Sequence, residues 1–470
     1  MAEPTAEAGN PTASIVEWLE TNLGPVTRIH RQPRWRPVWF ATVDLGENSD
    51  REARHRNVVV RGDRTDMELI FPLAHEMRFQ EVLHDAGIPV AAVHGWIDEP
   101  QAYVMDDVPG QPYLVEATEQ ERRQVMRQYI DALAAMHQLD LAPFEAAGIV
   151  RADQPSDSGL VGLARYVERY RRAKRHPDPL LEFGLAWLRR HPPDSRGREA
   201  PVVWDSGQFH HENGRLVALL DLELGHIGDP MMDLAAFRMR DTIGGFGDFN
   251  ELYAHYETAT GRPVDIDAIK THHFAFTLSN RLAFSSAIRE PAEGSDLMTN
   301  LQWCRETDLF ATEALAERYG LALPGIDLPD QEVTRASVAS RHLVELLRSL
   351  RPDEEYQRYE LRTAFRLARH VQRCDEIEQA MNAADLDDLE TLLGHRPNDW
   401  ATGEAELEQF ILADDGSHDE ALILLLHKRN LRAQALLGPA GSAMTTHHRI
   451  QPFDNDHSSG RGPDQQSTIR

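Results

Sequence analysis

The chain has 470 residues, 27% of them charged and 41% apolar, which are the proportions of a globular protein too long for a single hydrophobic core. Its 49 basic residues stand against 76 acidic ones, and the net charge of −27 repels nucleic acid with no long basic stripe to offset it. No apolar run nears the roughly 20 residues that cross a bilayer, and two cysteines, Cys304 and Cys374, are too few for a disulfide framework or a thiolate metal site. The opening MAEPTAEAGNPTAS lacks the regions of a signal peptide, so the expectation is a cytoplasmic protein without membrane or nucleic-acid partners.

In chain order, residues 1–12 read as a disordered tail, and SIVEWLETNL (14–23) as a short helix with Ser14 as N-cap. RWRPVWFATVDLG and RNVVVRGD are β-branched or aromatic runs that predict neighbouring strands. MELIFPLAHEMRFQEVLHDAG turns helical and stops at Gly87; IPVAAVHGWID and QAYVMDD return to strand. Beyond Gly110 the spacing becomes helical: Thr118–Gln138 opens with the capping box TEQE, and ARYVERYRRA and LLEFGLAWLRRH follow. A β island, APVVWDSGQFHHENGRLVALLDLE, interrupts the helices, which resume at Asp229. From about residue 330 the chain is helical and highly charged, suggesting solvated faces around a small core. The last residues, QPFDNDHSSGRGPDQQSTIR, have the composition of a disordered tail.

Chemistry concentrates in the β island. RLVALLD is an apolar strand leading into Asp221, and the Asn213–Gly214 pair before it is a strong hairpin signal because both positions tolerate positive φ. QFHHE is then the partner strand and Trp204–Gly207 the loop feeding it. That hairpin brings Asp205 and Gln208 towards Asp221, and two carboxylates with an amide oxygen suit a hard divalent cation. Adjacent His210 and His211 point to opposite faces of a strand, which speaks against a shared zinc ion; His272–His273 and His447–His448 meet similar objections.

LLDLELGHIGDPMMDLA resembles the metal-binding segment of the aminoglycoside phosphotransferase family, particularly the branch similar to kinases of hydroxyacyl-CoA thioesters. Asp221, Glu223, Gly228, Asp229, Pro230 and Asp233 match the family pattern in order and spacing; Glu76 with AGIPVA, and YVMDDVPG as an interlobe hinge, match further blocks over about residues 15–325. The resemblance implies an α+β, two-lobed protein-kinase-like fold, with a small β-rich N-lobe, a mainly helical C-lobe and an appended C-terminal helical domain. The expected divisions are an N-lobe at 13–105, a C-lobe at 106–328, an accessory helical domain at 329–446 and a disordered tail at 447–470. The implied activity is transfer of a phosphoryl group from ATP, with Mg²⁺, to a hydroxyl of a small molecule that is aminoglycoside-like or hydroxyacyl-CoA-like. Asp205 would be the catalytic base, Asp221 and Gln208 the metal ligands. Arg61 and Glu76 would form the phosphate-facing ion pair, Met105, Asp106, Asp107 and Val108 would hold adenine, and Asp233 would brace the catalytic loop.

Three departures oppose full catalytic competence. The family's His-Gly-Asp, four residues, then Asn is replaced by WDSGQ, a loop shortened by two residues if Gln208 is the metal amide. Aligning Asn213 instead would put Gln208 at the catalytic position, which the Asn213–Gly214 turn opposes. The only lysines are Lys174, Lys270 and Lys428, so Arg61 must replace the strand lysine, with a fork that does not superpose on an ammonium. RQPRWRPVWFATVD has no glycine with which to wrap phosphates; Arg31, Arg34 and Arg36 would contact phosphates through side chains, or simply stack on the aromatics. The alternative is therefore a catalytically impaired pseudokinase serving as a nucleotide-binding or regulatory module.

Overall fold

The computed structural model describes residues 11–34, 36–46, 54–64, 68–438 and 450–453. Helix α1 (Pro11–Asn22) starts three residues before the expected Ser14 cap, taking in two residues of the expected tail. Five antiparallel strands follow: β1 (Val26–Arg31), β2 (Val38–Asp44), β3 (His55–Gly62), β4 (Val93–Ile97) and β5 (Ala102–Asp106), in the order β1-β2-β3-β5-β4. β1, VTRIHR, is a strand that the sequence reading missed: it lies at the sheet edge with mostly exposed side chains, so no apolar alternation marks it.

Strand alternation gives the sheet two different faces. Val58, Val60, Ala102 and Val104 pack with Ile15 and Leu19 of α1 in one apolar cluster. Arg61, Tyr103 and Met105 point the other way, towards α2 (Leu73–Asp85), which carries Glu76 in its first turn and Gln80 one turn on. This sheet and α2 form the small lobe.

The helical lobe contains α3 (Glu119–Met136), α4 (Ala142–Ala146), α5 (Val161–Ala173), α6 (Pro179–Arg190), α7 (Met231–Gly244), α8 (Phe249–Thr260), α9 (Ile266–Arg289) and α10 (Leu297–Tyr319). Thr118 and Glu121 close the capping box of α3. The β island divides into two pairs: β6 (Ala200–Val202) with β9 (His226–Gly228), and the hairpin β7 (Phe209–Glu212) with β8 (Arg215–Leu219). Asn213 and Gly214 form the hairpin turn, with φ of 50° and 74°. The fold is two-lobed and protein-kinase-like, with an appended C-terminal helical domain.

That domain comprises α11 (Ser337–Ser349), α12 (Glu355–Leu393), α13 (Trp400–Ala413) and α14 (Asp419–Ala435). Its core is not a small separate one: Leu389, Leu407, Ile411, Leu422 and Leu426 join Trp187, Phe274 and Leu315 of the helical lobe in one continuous cluster. Residues 450–453 depart from the expected tail, since Phe453 is buried beneath the Arg238 guanidinium, 4.1 Å from it. Residues 1–10, 447–449 and 454–470 of the expected tails lie outside the described residues, as does the His447–His448 pair.

Candidate active site

Trp204 and Asp221 are the two bends around which the site is built. Both have left-handed backbone, φ 59° and 58°, which costs a non-glycine residue about 1–2 kcal/mol. The surroundings hold that strain. Asp233, fully buried on α7, accepts hydrogen bonds from the main-chain N–H of Val203 (3.0 Å) and Trp204 (2.6 Å) and contacts His137 Nε2 at 3.1 Å. The Trp204 ring fills the space over Gly162, where a Cβ would lie 2.1 Å from the indole, so only glycine allows the approach.

The loop leaving Trp204 delivers Asp205 and Gln208 to the mouth of the β7–β8 hairpin. Gln208 Nε2 lies 3.0 Å from Asp205 Oδ2 and 3.2 Å from Asp221 Oδ2, so one amide links both carboxylates. The hairpin thus brings together the three residues singled out in the sequence. Asn213 sits exposed at its far tip, where the alternative alignment would have put the metal amide.

Arginines meet these carboxylates from both lobes. Arg61 on β3 reaches Glu76 (2.7 Å) and Asp221 (2.7 Å), and Arg36 reaches Glu76 (3.1 Å) and Glu223 (2.5 Å) while donating to the carbonyl of Gly62. Arg36 is therefore a fully buried structural cation rather than an open phosphate contact. Arg31 stacks over Trp39 at 5.5 Å, the aromatic alternative considered for it. Burial and the charges of Arg61 and Arg36 lower the pKa of the Arg34 guanidinium.

Arg240, on α7, was missed by the sequence reading. Its Nε and Nη2 lie 3.0 and 2.5 Å from Asp205 Oδ1. Gly207 (φ 94°) permits this, because a Cβ there would lie 3.0 Å from the Arg240 side chain. The available signal was periodicity: Arg240 follows Asp233 by two helical turns and shares its face. Tyr103 was missed as well; its hydroxyl is 3.2 Å from both Glu76 and Gln80.

The electrostatics follow from this packing. Burial raises the Asp205 carboxyl, against the pull of Arg240. Burial would also raise Asp221, but Arg61 and then Arg36 outweigh it and hold that carboxyl low. Glu223 is pushed up by burial and by the charge of Asp221.

At the hinge, two of the expected adenine contacts are already engaged: the N–H of Asp106 bonds Ala92 O (2.9 Å) and that of Asp107 bonds Asn57 O (3.0 Å). Met105 Sδ lies 3.5 Å from Gln80 Nε2 on the cleft face, and the Val108 carbonyl is 2.9 Å from His210 Nδ1. His211 contacts Tyr113 O at 2.9 Å, so the paired histidines tie the hairpin to the hinge segment. Asp229 is held by Arg198 (2.9 Å) and His272 (3.4 Å) and accepts the Met231 N–H at the start of α7. No cluster of three or more His, Cys, Asp or Glu with metal-site geometry occurs among the described residues.

The two lobes and the cleft between them define a kinase-like phosphotransferase architecture. Residues 47–267, just under half of the chain, match the sequence model of the Phosphotransferase enzyme family (APH), which this stretch resembles. It is similar to acyl-CoA dehydrogenase family member 11 of Rattus norvegicus, 26% identical over 183 residues, which are 35% of this chain and 23% of the relative. Family member 10 of Mus musculus is 27% identical over 184 residues, 35% of this chain and 17% of the relative. The matches thus span about a quarter or less of these curated relatives. Among solved structures, a thermostable aminoglycoside phosphotransferase APH(4)-Ia in ternary complex with ADP and hygromycin B aligns over 66% of this chain and 99% of its own, at 14% identity and TM-score 0.46. Choline kinase LicA from Streptococcus pneumoniae aligns over 64% and 98%, at 14% identity and TM-score 0.45. No described helix is long and apolar enough to cross a membrane.

Proposed function

We propose that the protein transfers the γ-phosphoryl group of ATP to a hydroxyl of a small molecule, with Asp205 as base. The observation that carries this reading is the Asp205–Gln208–Asp221 cluster, drawn from two sides of one hairpin and facing the interlobe cleft. The donor set fits Mg²⁺: turning the Gln208 amide by half a rotation presents oxygen to the space between the two carboxylates, and amide orientation follows the surrounding network. Bound there by Asp221 and Gln208, Mg²⁺ would neutralise charge on the phosphate oxygens.

The chain's own residues supply positioning and proton transfer. Arg61, paired with Glu76, contributes positive charge for the α- and β-phosphates. Arg240 holds Asp205 Oδ1, leaving Oδ2 to take the acceptor's proton as the acceptor oxygen bonds to the γ-phosphorus. The bond between that phosphorus and the β–γ bridging oxygen breaks, and ADP departs with its electron pair. The Val108 N–H is the hinge donor assigned to adenine. The names of the curated relatives, taken with the resemblance to hydroxyacyl-CoA kinases, favour a hydroxylated acyl thioester over an aminoglycoside as acceptor.

Calorimetric titration with Mg·ATP, followed by ADP release across hydroxylated metabolites and thioesters, tests the reading. Absence of Mg·ATP binding would sink it. A second reading, a nucleotide-binding pseudokinase, is favoured by one observation: Arg240 and Arg61 already neutralise both key carboxylates. Nucleotide that raises the melting temperature only with Mg²⁺ present, without turnover on any acceptor, would select it.

A further inference from the structure

Helices α11 and α12 form an antiparallel hairpin whose apolar surface is only half used. Val344 and Ser337 of α11 and Ala368 and Gln372 of α12 are buried, and Arg348 lies over the Phe365 ring at 5.6 Å along the same seam. One flank of α12 docks on α10, through Arg366 to Thr299 (2.9 Å) and Gln302 (2.7 Å) and through the Tyr359 hydroxyl to Asp296 (3.1 Å).

The other flank is uncovered among the described residues. With about 100° between successive residues, Leu343, Leu346 and Leu350 lie to one side of the seam on α11. Tyr356, Leu367 and Val371 lie to one side of it on α12, offset in the same rotational sense. In an antiparallel pair, offsets of the same sense bring both stripes to the same side of the hairpin. The six side chains are between 38% and 52% exposed. Together they present roughly 500 Å² of apolar surface, close to the apolar share of the roughly 800 Å² that each partner buries in a standard interface.

We infer that this face is the contact between two copies of the chain, paired about a two-fold axis so that two hairpins make a four-helix arrangement. An isologous contact needs a continuous, self-complementary patch, and two parallel apolar stripes supply one. The terminal segments outside the described residues, 1–10, 439–449 and 454–470, hold only Met1, Met444 and Ile469 as large apolar side chains, too few to match the six of this face. The contact lies on the appended domain and does not depend on the phosphotransferase reading.

Sedimentation equilibrium of the full chain, over a concentration series from sub-micromolar to tenth-millimolar, is the test. The wild type is expected at twice the chain mass. Leu346→Glu and Leu367→Glu, one on each helix, should each weaken the dimer by about 100-fold or more, because a charge is placed in the middle of the contact. Val338→Glu, on the opposite flank of α11 and 72% exposed, should leave it intact. Circular dichroism checks that each variant keeps its helices. A wild type that stays a single chain throughout overturns the inference, as does a dimer indifferent to both glutamates or weakened equally by Val338→Glu.

Discussion

The interlobe cleft and the junction with the C-terminal helices are both held by arginine–carboxylate pairs, yet they differ in what the pairs leave open. At the junction, Arg281 meets Asp178 (2.8 Å) and Asp308 (3.5 Å), while Lys174 bridges Glu182 and Glu408 at 2.7 Å each. Asp178, Glu182, Arg281 and Asp308 are all buried, and the carboxylates meet cations on neighbouring helices. In the cleft, Asp205 and Asp221 are only part-buried, stand beside left-handed backbone, and share one amide that can turn. The same pairing chemistry is therefore structural in one place and adaptable in the other. Exposure to the cleft, rather than the presence of charge, marks the candidate site.

That contrast breaks most sharply at Asp221. Asp221→Ala should lower Mg·ATP-dependent turnover by about 1,000-fold or more, with the far-ultraviolet spectrum unchanged, since Arg61 keeps Glu76 as a partner. At the junction the effects should invert. Arg281→Ala leaves Asp178 and Asp308 without their shared cation and should cost about 3–5 kcal/mol of stability, read by urea unfolding, while turnover of the folded fraction is kept.

A smaller effect sharpens the role of Arg240. Arg240→Gln should reduce kcat by about 10-fold with KM for ATP unchanged, and Arg240→Lys should recover part of the loss. A proportional rise in KM for ATP would reassign Arg240 to nucleotide binding.

A pH dependence separates the cleft from the packing beneath it. His75 and His226 are buried near Phe71, and burial lowers both imidazoles from 6.5 to about 4. Below pH 6.5 the unfolded chain binds protons that the folded chain rejects until about pH 4. Stability is therefore unaffected above that window and falls as pH drops through it, by roughly 1 kcal/mol per pH unit for each histidine. Urea midpoints measured across the window should show this slope, and His226→Gln should flatten it; an unchanged slope would place the acid sensitivity elsewhere.

Much of this was legible locally. The capping box of α3, the Asn213–Gly214 turn and the apolar strand into Asp221 are short-range patterns, each fixed by backbone preference within a few residues. The block from Asp221 to Asp233 carried the family resemblance because its spacing is set by one continuous strand–loop–helix passage. Strand β1 was not legible, because an exposed edge strand needs no apolar alternation. Nor was the continuous core joining the C-terminal helices to the helical lobe, because amphipathic stripes do not name their partners.

By itself, then, the sequence determined most of the elements, the hairpin and the approach of Asp205 and Gln208 to Asp221. Tertiary structure decided most of the cations that meet the carboxylates. Arg61 was expected opposite Glu76 and Arg240 shares the helix face of Asp233, but the contacts of Arg61 with Asp221, of Arg240 with Asp205 and of Arg36 with Glu76 join segments far apart in the chain. Long, flexible side chains find partners through the packing of whole elements, so ion pairing across lobes is settled only when the fold closes.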